Sequence, residues 1–220
     1  MTKVIAAMLI MCVCVVVTQA DERDDAGEEG KKKGKWVALF NGKDLTGWKL
    51  INGTAKYAVE KGSIVGTTVA GSPNSFLCTE KDYGDFELEF EVKLAPELNS
   101  GVQIRSHSKP EYKNGRVHGY QVEIATNGHA GFVYDEARRG KFLNDGVDDP
   151  DKQAKFNNDG WNKYRVVCQA DSIRTWVNGK QVSDLKDGMT KSGFIGLQVH
   201  SVGGDPHWQV RWRNLRLREL

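Results

Sequence analysis

Phe86-Glu87-Leu88-Glu89-Phe90-Glu91-Val92-Lys93 alternates apolar and charged residues without a break. Successive side chains of an extended strand point to opposite faces, so this stretch predicts a strand with one face on a core and the other in solvent. The same period of two returns in Gly101-Val102-Gln103-Ile104-Arg105, in Tyr120-Gln121-Val122-Glu123-Ile124, and in residues 163–169, 194–200 and 210–217. Residues 172–177 and Gln181-Val182 flank Asn178-Gly179, a dipeptide suited to the positive φ angles of a two-residue hairpin turn. Long stretches of helical spacing are missing, and 24 glycines punctuate the chain. An all-β sandwich or barrel is the fold class this predicts.

The beginning of the chain reads differently. Lys3 precedes an apolar run over residues 4–17, too short to cross a bilayer comfortably, and Thr18-Gln19-Ala20 offers small residues before the charged Asp21-Glu22-Arg23. Residues 1–20 are therefore expected to be a signal peptide, with an uncleaved anchor as the alternative, and the mature protein to be periplasmic or secreted with no stable membrane span. Residues 21–35 carry many charges and glycines but no large apolar side chain, which predicts a flexible linker. Residues 36–220 are long enough for one domain with a substantial core. The formal net charge of +2 gives no electrostatic footprint for nucleic acid. Cys78 and Cys168 remain once the signal is removed, and either a disulfide or two buried thiols fits the sequence.

Alternation also assigns faces. If Val102 and Ile104 point to the core, Gln103 and Arg105 point away from it. If Tyr120, Val122 and Ile124 face in, Gln121 and Glu123 face out, and Leu197 and Val199 likewise leave Gln198 and His200 outward. Three neighbouring strands would then carry a carpet of Gln, Arg, Glu and His. That composition suits a polyhydroxylated ligand, which needs donors and acceptors held on a rigid frame. An ordinary solvated face would carry more Lys, Thr and Ser. Glu87, Glu89, Glu91 and Lys93 look like such a solvated face, unless their strand lies beside 102–105.

Other candidates are weaker. His107, His118, His129 and His207 match no ligand spacing, and the Asp145–Asp151 cluster lacks the order of a calcium loop. Trp176 and Trp212 lie within strands and read as core. Trp48 and Trp208 sit beside turns and are the better candidates for stacking on a sugar. Residues 135–158 form the one long irregular stretch, which in a compact domain tends to be functional or disordered.

Several segments, taken in order, resemble the 3-keto-disaccharide hydrolase family. They are Leu39-Phe40-Asn41-Gly42-Lys43-Asp44-Leu45-Thr46-Gly47-Trp48, Asn99-Ser100-Gly101-Val102-Gln103-Ile104-Arg105, Gly119-Tyr120-Gln121-Val122-Glu123-Ile124, Trp161-Asn162-Lys163-Tyr164-Arg165, Trp176-Val177-Asn178-Gly179, and the two closing strands. The resemblance implies a two-sheet, concanavalin A-like jelly-roll sandwich and cleavage of glycosides already oxidised to a ketone at C3. The ketone acidifies the C2 hydrogen, so a base can remove it and the enolate can expel the glycosidic oxygen. Hydration afterwards gives net hydrolysis, and without it the outcome is that of a lyase.

Such chemistry needs a base, stabilisation of the enolate oxygen and a proton for the leaving group. The base is expected to be Glu123 or His200. The oxyanion is expected to face Arg105 or a divalent metal held by Glu123 and His200. Gln103, Gln121 and Gln198 would orient hydroxyls, and Tyr134, Asp135, Glu136 and Arg138 would open the long loop as a lid over a carbohydrate substrate. A non-catalytic carbohydrate-binding module and an envelope interaction domain are the competing readings, because the same architecture hosts lectins.

Overall fold

The computed structural model describes residues 34–204 and 207–220, so the expected signal peptide and most of the linker lie outside the described residues. The strands in chain order are β1 (Val37–Ala38), β2 (Trp48–Ile51), β3 (Lys56–Glu60), β4 (Ser63–Thr67), β5 (Ser75–Thr79), β6 (Phe86–Leu94) and β7 (Ser100–His107). They continue with β8 (His118–Ile124), β9 (Val133–Glu136), β10 (Asn162–Gln169), β11 (Ser172–Val177), β12 (Lys180–Lys186), β13 (Phe194–Val199) and β14 (Gln209–Glu219). One sheet has the order β12-β11-β10-β6-β14-β4-β3, with β1 on β14, and the other has the order β2-β5-β13-β7-β8-β9. All pairings between named strands are antiparallel. The expected all-β, two-sheet jelly-roll sandwich is what forms. No helix among the described residues is long and apolar enough to cross a membrane.

The alternating strand that opened the sequence reading lies near the middle of the first sheet. Its Phe86, Leu88, Phe90 and Val92 face Val102, Ile104, Tyr120, Val122 and Leu197 of the second sheet in one core. Each such side chain, fully buried, contributes roughly 1.5–3 kcal/mol by leaving water. Tyr164 of β10 stacks on Phe90 with ring centroids 4.9 Å apart and donates its hydroxyl to the backbone carbonyl of Glu123, 3.3 Å away in the other sheet. The core thereby ties down the strand that carries the site.

The other face of β6 is an ion-pair ladder. Glu87 accepts from Arg165 at 2.5 Å and also from Arg218, Glu89 pairs with Arg216 at 2.6 Å, and Glu91 with Arg213 at 2.7 Å. Arg165 stacks on Trp176 and Arg213 on Trp161. This sheet is not the one that contains β7, so none of these glutamates reaches the Gln-rich face.

Two aromatic expectations are corrected, those for Trp176 and Trp48. Trp176 is half-buried on the outer face because Ile173, Thr175 and Val177 take the inward positions of β11. Trp48 is buried, with its indole N–H donated to the Leu39 carbonyl at 2.9 Å, so it offers no stacking platform. Trp208 is half-buried and packs against the core. Trp212, by contrast, is core. Cys78 and Cys168 are free and sit in separate buried clusters, which excludes the disulfide alternative. Burial pushes both thiols up, Cys168 to about 12, so neither is a reactive thiolate at neutral pH.

Candidate functional site

β13, β7, β8 and β9 are consecutive neighbours in the second sheet. Their outward side chains therefore line up in rows. Gly196, Gln103, Gln121 and Tyr134 form one row by successive cross-strand pairing, and Gly101 pairs with Glu123 in the next. Phe76 of β5 stands opposite Gln198. The face is not solvated: Gln103 and Gln198 are 0% exposed and Glu123 is 7% exposed. Beside this row, Val117 closes over Phe76, Cys78 and Phe194 in an apolar cluster. The covering segment is pinned by Asn52, which accepts the Val117 amide at 2.7 Å and donates to the Gly115 carbonyl at 3.1 Å.

Arg105 is the exception, and the structure takes it away from this face. One extra residue in β7 makes a bulge between Ile104 and His107, with Arg105 at φ +47°. A bulge breaks the alternation that assigns faces. Ser106 consequently takes the outward place, while Arg105, 0% exposed, turns between the sheets. There it donates to the carbonyls of Gly84 and Ala170, each at 2.8 Å, and to Asp85 at 2.9 Å. Every guanidinium nitrogen has a partner, so Arg105 braces the sandwich and is too far committed to meet an enolate.

The remaining carpet is hydrogen-bonded along its length. The Ser106 hydroxyl donates to Gln103 Oε1 at 2.8 Å, Gln103 Nε2 to Gln121 Oε1 at 2.7 Å, and Gln121 Nε2 to Glu123 Oε2 at 2.9 Å. Asn99 Nδ2 donates to the other Glu123 oxygen. Gly101 makes this possible, because a Cβ there would lie 2.4 Å from the Gln121 side chain that rests over it. Burial raises the Glu123 carboxyl above the usual range. Its hydrogen bonds from Asn99 and Gln121 and the proximity of His200 oppose the rise, and Glu136 adds to it. Gln198 keeps both amide atoms buried without a partner, a side chain made to hydrogen-bond something the fold itself does not supply.

A pocket of about 720 Å³ opens beside this row: Tyr134 lines it, whereas Gln103, Gln121, Glu123 and Gln198 lie buried behind its lining. Phe76, Tyr134, Glu136 and His200 line it, with Arg116 and Arg138 among the residues of its wall. His200 Nδ1 lies 2.7 Å from the Ser201 carbonyl, which must accept from it, so Nε2 holds the lone pair of the neutral ring. Burial, together with Glu136 and Glu123, raises the Tyr134 phenol and keeps it a proton donor. Arg116 bridges Glu136 at 3.3 Å. Arg138 donates to Asp135 at 2.8 Å and lies over the Tyr120 ring, leaving its Nη2 buried without a partner.

Tyr134, Asp135 and Glu136 belong to β9 and do not open a lid. The turn that follows is closed by hydrogen bonds from Gly140 N to Asp135 O and from Asp135 N to Lys141 O, both 2.9 Å, so this segment is a fixed wall. Asp135 faces away from the pocket and anchors Arg138 and Arg139.

The donor set does not make a metal centre. Glu123 and His200 would supply two ligands, both Glu123 oxygens already accept amide N–H groups, and no group of three His, Cys, Asp or Glu fit to hold an ion occurs among the described residues. Sequence reading missed Asn52, Asn74, Phe76, Asn99, Lys113 and Arg116. Asn99 stands next to the Ser100-Gly101 strand start and was within reach of the motif. Phe76 was not, because β5 is buried on both faces and shows no alternation.

The family described as 3-keto-alpha-glucoside-1,2-lyase-like matches residues 35–218. Among solved structures, a "putative glycosyl hydrolase" of Parabacteroides distasonis is 23% identical, with a TM-score of 0.61 over 85% of this chain and 94% of that one. The carbohydrate binding module CBM66 of Bacillus subtilis is 16% identical, with a TM-score of 0.58 over 77% and 94%. A beta-glucanase of Bacillus licheniformis is 13% identical, with a TM-score of 0.56 over 88% and 100%. These likenesses are of fold. No curated protein gives a significant match.

Proposed function

Because the chain belongs to the 3-keto-alpha-glucoside-1,2-lyase-like family, we propose that it cleaves 3-keto-glycosides or 3-keto-disaccharides by eliminating the group at C1. The observation that carries this reading is Glu123, a buried carboxyl of raised proton affinity next to a pocket lined by His200 and Tyr134. The Glu123 carboxylate takes the C2 proton, and the electrons of the C–H bond pass into the C3 ketone as an enolate. The enolate re-forms the ketone as the C1–O bond breaks, leaving a double bond between C1 and C2. Tyr134 gives its phenolic proton to the departing oxygen.

Arg116, which lines the pocket beside Glu136, takes the role at the enolate oxygen that Arg105 cannot fill, since the Arg138 guanidinium is held by Asp135 over the Tyr120 ring. His200 Nε2 and Glu136 on the pocket wall accept from sugar hydroxyls. Water added at C1 completes hydrolysis, and its omission leaves the unsaturated sugar. The chain acts after export, with its first 20 residues removed, and N-terminal sequencing of the exported protein should then begin at Asp21.

The test is incubation with 3-keto-trehalose and with a chromogenic 3-keto-glucoside, with and without EDTA, following release of the leaving group. Release by the wild type and its loss in Glu123→Gln support the assignment. Folded wild-type protein that releases nothing yet binds unmodified glycans is a carbohydrate-binding module.

A further inference from the structure

The hydrogen bonds from Ser106 through Gln103 and Gln121 to Glu123 all run in one direction, and that direction has a counterpart. Both Glu123 oxygens accept an amide N–H, the arrangement an ionised carboxylate takes. A Glu123 protonated on the oxygen that faces Gln121 donates from it, and Gln121 then has to present its Oε1. Turning the Gln121 amide over presents its Nε2 to Gln103, which must turn in its place and present its own Nε2 to Ser106. Ser106 then accepts, and its proton needs a new acceptor. Two stand ready, because the carbonyls of Ile104 and Tyr120 each lie 3.1 Å from the Ser106 oxygen. The chain therefore closes with every group satisfied in either direction.

We propose that Ser106, Gln103 and Gln121 form a reversible relay of positioning residues that reverses as a unit when Glu123 gains or loses its proton. The inference rests on the reading of Glu123 as the proton-transferring carboxyl for its catalytic meaning, though not for its existence. A lone buried carboxyl with fixed donors would leave two hydrogens facing each other on protonation, which penalises the protonated form. The relay removes that penalty, so Glu123 can hold the C2 proton during turnover without disturbing the site. The groups that face Glu123 are Gln121 on its own strand, Asn99 before β7, Glu136 and Tyr134 on β9, and His200 after β13. Tyr164 of the opposite sheet touches only its backbone carbonyl. Gln103 makes no hydrogen bond to Glu123, which makes it the reporter of choice.

The test is a pH titration by NMR of the whole, ligand-free protein, following the Glu123 carboxyl carbon and the side-chain amides of Gln103 and Gln121. The relay predicts one shared midpoint for all three. In Glu123→Gln, whose amide donates as a protonated carboxyl does, the Gln103 amide should stay at its low-pH wild-type position across the range. In Gln121→Met, Glu123 should still titrate while Gln103 no longer follows. A wild-type Gln103 amide that does not move while Glu123 titrates overturns the relay, as does a Gln103 that still follows in Gln121→Met. Turnover does not enter these readouts, so loss of the catalytic assignment is read separately.

Discussion

Gln103 Nε2 donates to Gln121 Oε1 at 2.7 Å across the β7–β8 pair, although both side chains lie on the outward face and are almost wholly shielded from water. Two glutamine amides removed from water cost stability unless they are paired. Their burial on a face that alternation assigns outward is what marks this part of the sheet as a site.

The pairing depends on the missing side chain at residue 101. Gly101→Ala would bring a Cβ to 2.4 Å from the Gln121 side chain. We expect a loss of about 1–3 kcal/mol from overpacking, read as a lower urea midpoint with an unchanged slope. Turnover of the 3-keto substrate should fall as well, because Gln121 is displaced from Glu123.

Arg105 separates a brace from a catalyst. Arg105→Met leaves the Gly84 and Ala170 carbonyls without their donor, at roughly 1–3 kcal/mol for each buried group left unpaired. Thermal unfolding should show a clear loss, while kcat of the fraction that remains folded stays close to wild type. A kcat loss of about 100-fold or more in folded protein would return Arg105 to the site.

The same two residues show where the sequence was legible. Strict alternation placed Gln103, Gln121, Glu123 and Gln198 correctly, because β7, β8 and β13 keep a regular period over those positions. It failed at Arg105, because one inserted residue shifts the face of everything after it, and no composition signal marks a bulge whose positive-φ residue is not glycine. It failed also for β2 to β5 and for Phe76, where strands are short or buried on both faces. The pocket wall from Arg116 to Arg138 depends on loops that cross the sheet, and such long-range contacts leave no local period.

Stability should depend on pH through Glu123. A carboxyl whose folded value is raised contributes stability that is fully present below its unfolded value and is lost as pH rises through the folded value. Glu123→Gln has no such loss. Its melting temperature should match the wild type in acid and exceed it increasingly toward neutral pH, as measured by calorimetry across that range. A lower melting temperature at neutral pH would contradict the direction of the shift.

Tyr134→Phe should lower kcat by about 100-fold or more on substrates with a poor leaving group, and far less with a nitrophenol that needs no proton. The split between the two substrates checks the assignment of Tyr134 as the acid. EDTA should leave both rates unchanged, since Glu123 and His200 do not complete a metal centre.

The central claim is that Glu123 removes the C2 proton of a 3-keto sugar. Deuterium at C2 of a 3-keto-glucoside tests it most directly, with release of the leaving group compared between the wild type and Glu123→Gln. The account predicts slower release from the deuterated substrate by wild type and a loss of about 100-fold or more in the folded variant. Folded Glu123→Gln that turns over at the wild-type rate would contradict it.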